Sequence, residues 1–403
     1  MHIQVCHFAT ADALLVLFVT AALHSFIQVA DRGSLWNYLC SAVITALVLA
    51  TDPVLLPILL VFVGAFLLSL ITENRFRTIK PYLGLALFLA TFFVTLFVTH
   101  PFAFLQNLPV SIGERAPGFS ALWATVAPRL RILGSTDFWA GIRERVDWLS
   151  GLPSNATTLP YLRTFPYLYP AANLCRWCLG WPLGLAVIAG LFYFTGKHLY
   201  GWDRSSLVLL GWTLPYLAIT GRMTVKQPGT LMPVLPCLCL FAAVLLSDLI
   251  RLLGFSDERR PASVQMADLL GIRTLSRRFC LWLGTFGLLG MLLVVCFSAY
   301  YSLQFVEIYR QPHTWMKASA WIYQNVPTEK KIVCEQLDQP LPRDIAEHSA
   351  DKFAYLINPV YDEPDWDTNK ISLLAENLLK GDYLVLGSKR SYAAMLRLPS
   401  RFP

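Results

Sequence analysis

The feature of this sequence that most limits its folds is a series of apolar runs separated by polar segments. They lie at Ala11 to Ala30, Trp36 to Thr51, Pro53 to Ile71, Pro81 to Thr99, Leu174 to Thr195, Ser206 to Thr220, Leu231 to Ile250 and Phe279 to Tyr301. A helix needs about 20 apolar residues to cross a hydrocarbon core, fewer when it is broken or crosses only in part. Backbone polar groups in lipid must be satisfied internally, so runs of this kind are read as helices. The expected fold is an all-α polytopic membrane domain of about eight transmembrane helices over residues 1–302, followed by a small α/β extracytoplasmic domain over 303–403. Asp52-Pro53 alone separates the second and third runs, as a tight hairpin or a kink.

Composition agrees with a bilayer as solvent. Hydrophobic residues make up 55% of the chain and charged ones 15%, whereas soluble domains carry about a quarter charged. The formal charge of +7 sits in short clusters between apolar runs, which speaks against a nucleic-acid stripe. One set of alternate loops holds Arg32, then Arg75, Arg77 and Lys80, then Lys197 and Arg204, then a basic group from Arg251 to Arg278. Those are the inside loops by the positive-inside rule, and a hairpin at Asp52-Pro53 keeps them on one face. The start of the chain, the loop from His100 to Asn173, the loop around Arg222 and the C-terminal tail then share the non-cytoplasmic side.

The loop over residues 100–173 is long enough to be functional. Within it, Ala116 to Ile132 is apolar, and Phe138 to Leu149 reads as an amphipathic interfacial helix with Trp139 and Trp148 at headgroup level. Asn155-Ala156-Thr157 has the N-glycosylation pattern and serves as a loop marker. In the tail, helices over Ala318 to Asn325 and Lys370 to Leu379 alternate with strands over Lys331 to Glu335 and Tyr383 to Leu386. The nine cysteines fall mostly inside apolar runs, as small hydrophobes. Cys175 and Cys178 have C-x-x-C spacing but no second pair or His cluster to complete a metal site, so no metal is assigned.

Ionisable groups at a membrane boundary are the candidates for chemistry. Asp12, at the outer end of the first run, can serve as a general base, hold a metal or a hydroxyl-rich substrate, or cap its helix. Arg222 and Lys226 suit a phosphate, through a bidentate fork and a mobile point charge, and equally suit snorkelling at helix ends. Tyr161, Arg163, Tyr167 and Tyr169 form an aromatic stretch that fits an interfacial belt or a stacking surface for a sugar.

Several segments, in order, resemble bacterial integral-membrane glycosyltransferases of the GT-C class, the dolichyl-phosphate-mannose protein mannosyltransferase and aminoarabinose transferase type. His7-Phe8-Ala9-Thr10-Ala11-Asp12 is similar to the family's H-F-x-x-x-D segment. His100-Pro101-Phe102-Ala103-Phe104 resembles its Q-P-Y-A-F turn, and Tyr167-Leu168-Tyr169-Pro170 resembles the approach to its next span. After the last run, Trp321-Ile322-Tyr323, Asn325-Val326-Pro327, Tyr361-Asp362-Glu363-Pro364 and Arg397-Leu398-Pro399 resemble the family's tail.

The resemblance implies transfer of a hexosyl or pentosyl group from a polyprenyl-phosphate donor to a protein, lipid or glycan acceptor on the outer face of a bacterial inner membrane. Asp12 would act in catalysis, with His7, Tyr161, Arg163, Arg222 and Lys226 binding substrate; the resemblance leaves room for a divalent metal. The family's principal catalytic Asp lies in an outer loop upstream of H-F-x-x-x-D, so a chain truncated at its start, and at its end, is expected. The family's K-F-x-R-Y-x-x-P-x-x-P signature appears from Lys226 to Pro236 with its Lys and prolines but without its Arg and Tyr. A non-catalytic membrane protein that binds lipid-linked sugar or assists assembly is the alternative.

Overall fold

The computed structural model describes residues 11–72, 76, 78–105, 135–151, 158–200, 203–253, 277–335, 340–345, 348–358 and 368–386. His7, Arg75, Arg77, Ala116 to Ile132, Asn155-Ala156-Thr157, the basic residues from Arg259 to Arg273, Tyr361 to Pro364 and Arg397 to Pro399 lie outside the described residues. Two compact units emerge. One joins Met1–Val146, Tyr167–Arg222 and Gln227–Tyr300; the other joins Asp147–Pro166, Met223–Lys226 and Tyr301–Pro403.

The first unit is helical. Its elements are α1 (Ala11–Asp31), α2 (Leu35–Thr51), α3 (Ile58–Thr72), α4 (Lys80–Thr99), the start of α5 (Thr136–Leu149), α6 (Leu168–Asn173), α7 (Trp181–Tyr200), α8 (Arg204–Arg222), α9 (Leu235–Arg251) and most of α10 (Arg277–Arg310). Helix α1 shows why it forms. Val19, Ala22, Phe26 and Val29 recur at helical spacing and are all fully buried, a single stripe turned to the core.

The chain reverses at Asp52-Pro53. Tyr38, near the start of α2, meets Phe62 and Phe66 of α3 at ring distances of 6.4 and 6.3 Å. In one continuous helix those partners would lie about 36 Å or more apart along the axis. Gly84 lets α4 approach the Tyr38 ring, which a Cβ at that position would overlap. Phe62 stacks on Phe88 at 3.6 Å, and Phe88 on Phe92 at 5.9 Å. Such close packing through small and aromatic residues is what holds helices together where lipid supplies no hydrophobic drive.

Five segments among the described residues are long and apolar enough to cross a membrane: Ala11–Arg32, Pro53–Ile71, Lys80–Thr99, Pro228–Arg251 and Leu281–Asn325. A membrane is the environment they fit. The count is smaller than the eight expected, for physical reasons. Helix α2 is apolar but short. Leu174 to Thr195 is not one helix: Leu174–Cys178 forms a π turn, Gly180 takes φ +79°, and α7 starts afresh at Trp181. Helix α7 carries Lys197 and His198 in its last turn, and α8 runs between Arg204 and Arg222 with Pro215 inside. At the other end of the chain α10 outlasts Tyr301 and continues to Arg310.

In the second unit, α11 (Thr314–Asn325) precedes a three-stranded parallel sheet, β1 (Lys331–Glu335), β2 (Ala354–Asn358) and β3 (Tyr383–Val385), with α12 (Thr368–Lys380) between β2 and β3. Strand order is β2-β1-β3, with Ile332 opposite both Tyr355 and Tyr383. Ile322, Ile332, Cys334, Leu341 and Phe353 form its core. Strand β2 was not among the expected elements.

Candidate functional site

The ends of four helices meet around a cavity of about 480 Å³ in the helical unit, whose lining includes Asp12, Asp52, His100, Asp137 and Arg145. Each is placed by a local rule. Asp12 sits in the first turn of α1, where the helix dipole favours a carboxylate. Asp52 breaks from α2 in an extended conformation and its Oδ1 accepts from Val54 N at 3.1 Å, capping a short 3-10 turn opened by Pro53. His100 ends α4, its backbone N donating to Leu96 O at 2.8 Å.

Helix α5 is fastened over these ends by one serine. Ser135 N donates to Ala103 O at 2.7 Å and its Oγ to Phe102 O at 2.8 Å. The same Oγ accepts from Phe138 N at 3.1 Å, as an N-cap. Phe138 thereby meets the His100 ring at 6.1 Å, and Asp137 and Arg145, both on α5, reach the cavity. On another side, Gly229 backs Asp12: a Cβ there would stand 3.8 Å from Asp12 Oδ2. Tyr216 Oη donates to Thr230 O at 2.7 Å and holds that turn.

The electrostatics are uneven across the cavity. Burial pushes the Asp52 carboxyl above the usual carboxylate range, against its bond from Val54 and the Arg145 charge, with Asp12 adding to the rise. Burial also holds His100 below the ordinary imidazole value, favouring the neutral ring. Two carboxyl groups on one cavity, one of them with its pKa raised by burial, are the raw material of an acid and a base. Arg145 offers a planar cation suited to phosphate or carboxylate. Among the described residues no group of three His, Cys, Asp or Glu side chains is arranged to hold a metal ion.

The other expected site residues are elsewhere. Arg222 ends α8 and is exposed, and Tyr167, with φ +59°, donates from its N to Gly221 O at 3.0 Å. Tyr161, Arg163 and Lys226 belong to the second unit. There Lys226 is 6% exposed, its Nζ donating to Thr164 Oγ1 at 3.1 Å and to Thr224 O at 3.3 Å. Burial lowers its pKa. Arg163 takes φ +56°.

Four lining residues received no role from the sequence: Asp52, His100, Asp137 and Arg145. Asp52 carried a usable signal, as an acid at the boundary of two apolar runs on the same side as Asp12. The α5 pair carried none, since it takes tertiary contacts such as the Ser135 fastening to bring that helix to the cavity. No protein-family model, no curated protein and no solved structure matches the chain.

Proposed function

We propose that this chain is a GT-C-like membrane glycosyltransferase that moves a sugar from a polyprenyl-phosphate donor to an acceptor on the outer face. The observation that carries it is the cavity uniting Asp12 and Asp52 with Arg145 at the ends of apolar helices. Inverting transfer asks for a base toward the acceptor hydroxyl and a cation toward the leaving phosphate. In this assignment Asp12 takes the acceptor proton, Arg145 faces the phosphate, and Asp52, biased toward its protonated form, donates a hydrogen bond. The finer topology goes with it: eight spans, a bacterial inner membrane, and the cavity and tail on the non-cytoplasmic side, as the Lys and Arg of the alternate loops favour.

Release of polyprenyl phosphate from a polyprenyl-phosphate sugar, followed in nanodiscs with wild type and Asp12→Asn, tests this. Wild-type release with a loss of about 10²-fold or more in the variant supports it; equal rates in the two remove Asp12 from the chemistry.

A second function, binding of lipid-linked sugar without transfer, is favoured by Lys226. The one cation that the K-F-x-R-Y-like segment retains has its ammonium on two neutral oxygens, and the Arg and Tyr of that pattern are replaced. Saturable binding of the donor with no release of polyprenyl phosphate would select this function over transfer.

A further inference from the structure

At the opposite ends of the helices a different feature stands, unconnected with the cavity at Asp12. Helices α7 and α9 touch backbone to backbone, since a Cβ at Gly190 would overlap Ala242, and Phe194 stacks on Phe241 at 4.1 Å. Helix α10 closes on the far end of α9, where Gly284 and Gly287 leave room for Leu253 and Leu249. Between these contacts lies an apolar groove of about 530 Å³, walled by Cys239, Ala243 and Leu246 on one side and Met291 and Val295 on the other, and ending at Arg251. From Cys239 to Arg251 it follows α9 for about 18 Å.

The polar end of the groove carries a net positive charge. Asp248, 5% exposed, accepts from Tyr193 Oη at 2.9 Å, from Lys197 Nζ and from Arg251 Nη1 at 3.1 Å. Two cations share one carboxylate, which leaves a net charge of +1. The Arg251 side chain is 57% exposed, with guanidinium donors in excess of its single bond to Asp248.

We propose that this groove binds an anionic phospholipid, one acyl chain lying between α9 and α10 and the phosphate on Arg251. Apolar walls accept any acyl chain; the unbalanced charge at one end selects the headgroup, and Lys197 reinforces the attraction from behind Asp248. The lipid belongs to the leaflet on the side where α7 and α9 end.

Native mass spectrometry of the purified chain, released from detergent after incubation with phosphatidylglycerol or phosphatidylcholine of identical acyl chains, reads this out. The expected result is about fivefold greater retention of phosphatidylglycerol, the ratio that one basic residue facing an anionic lipid supplies. Arg251→Ala should erase that ratio, Arg251→Lys should keep most of it, and Ala243→Phe, which fills the groove, should lower retention of both lipids. A thermal melt of each variant, within a few degrees of wild type, certifies the fold. Equal retention of the two lipids by wild type, or an unchanged ratio in Arg251→Ala, overturns the proposal. So does displacement of phosphatidylglycerol by millimolar inorganic phosphate, which would mark a site for soluble anions.

Discussion

The two ends of the helical unit handle charge in opposite ways. At the end where α7 and α9 finish, Asp248 is enclosed by Tyr193, Lys197 and Arg251, and nearby ends are tied by Arg204 Nη1 donating to Ala30 O at 3.0 Å. At the end where α1 begins, Asp12, Asp52, His100, Asp137 and Arg145 line a cavity. A buried carboxylate surrounded by its partners is structural, whereas ionisable groups gathered at the wall of a cavity, one of them the carboxyl of Asp52 with its pKa raised by burial, are candidates for chemistry. The difference teaches which ionisable residues to alter for stability and which for function.

The comparison is broken most sharply at Asp248. Asp248→Ala takes the shared acceptor from Tyr193, Lys197 and Arg251 and should cost about 3 kcal/mol, the loss expected when partly buried donors, two of them charged, are left unpaired. Thermal unfolding in detergent measures it, and a shift no greater than that of Asp12→Asn would erase the distinction between the two ends. Gly84→Leu comes next: its side chain would collide with the Tyr38 ring, and overpacking of this kind costs about 1–3 kcal/mol. Ser135→Ala removes the α5 cap, worth about 1 kcal/mol. Its mark is faster amide exchange in α5 while α1 to α4 stay protected, because the loss is local to the helix that carries Asp137 and Arg145.

The smallest effects are pH slopes. Asp52 has a folded pKa raised from 3.8 by burial. The stability tied to its proton is therefore present below that value and declines as pH rises through the raised one. His100 works in the other sense: its pKa is lowered from 6.5, so its contribution is present above 6.5 and lost as pH falls through the lowered value. Between about pH 4 and 7, the carboxylate and imidazole ranges, unfolding midpoints of Asp52→Asn should lose the decline with rising pH that Asp52 supplies and keep the rise that His100 supplies. A wild-type slope surviving in Asp52→Asn would assign it to another group.

Much of the helical unit was legible because apolar runs announce helices; Asp52-Pro53 allowed a hairpin or a kink, and the Lys and Arg of the alternate loops favoured the reversal that the Tyr38 and Phe66 contact displays. The interruption before α7 was not, since Leu174 to Thr195 reads as one apolar run with a single charge, Arg176, and the break shows only in the π turn over Leu174–Cys178 and the positive φ of Gly180. In the tail, β1 was expected at its observed bounds, whereas β2, Ala-Tyr-Leu-Ile-Asn, lacks alternation and owes its extended form to pairing with β1. At the cavity, Asp12 was legible as an ionisable group at a boundary. Arg145 was not: it lies on an amphipathic helix whose polar residues look alike until Ser135 fixes which of them turns toward Asp52.

The assignment of chemistry to the Asp12 end is tested most directly by polyprenyl-phosphate release from a polyprenyl-phosphate sugar in nanodiscs, comparing wild type, Asp12→Asn and Lys197→Met. The account predicts release by wild type, a loss of about 10²-fold or more in Asp12→Asn, and retained release in Lys197→Met once its lower stability is allowed for. Equal release by wild type and Asp12→Asn, or loss confined to Lys197→Met, would contradict it.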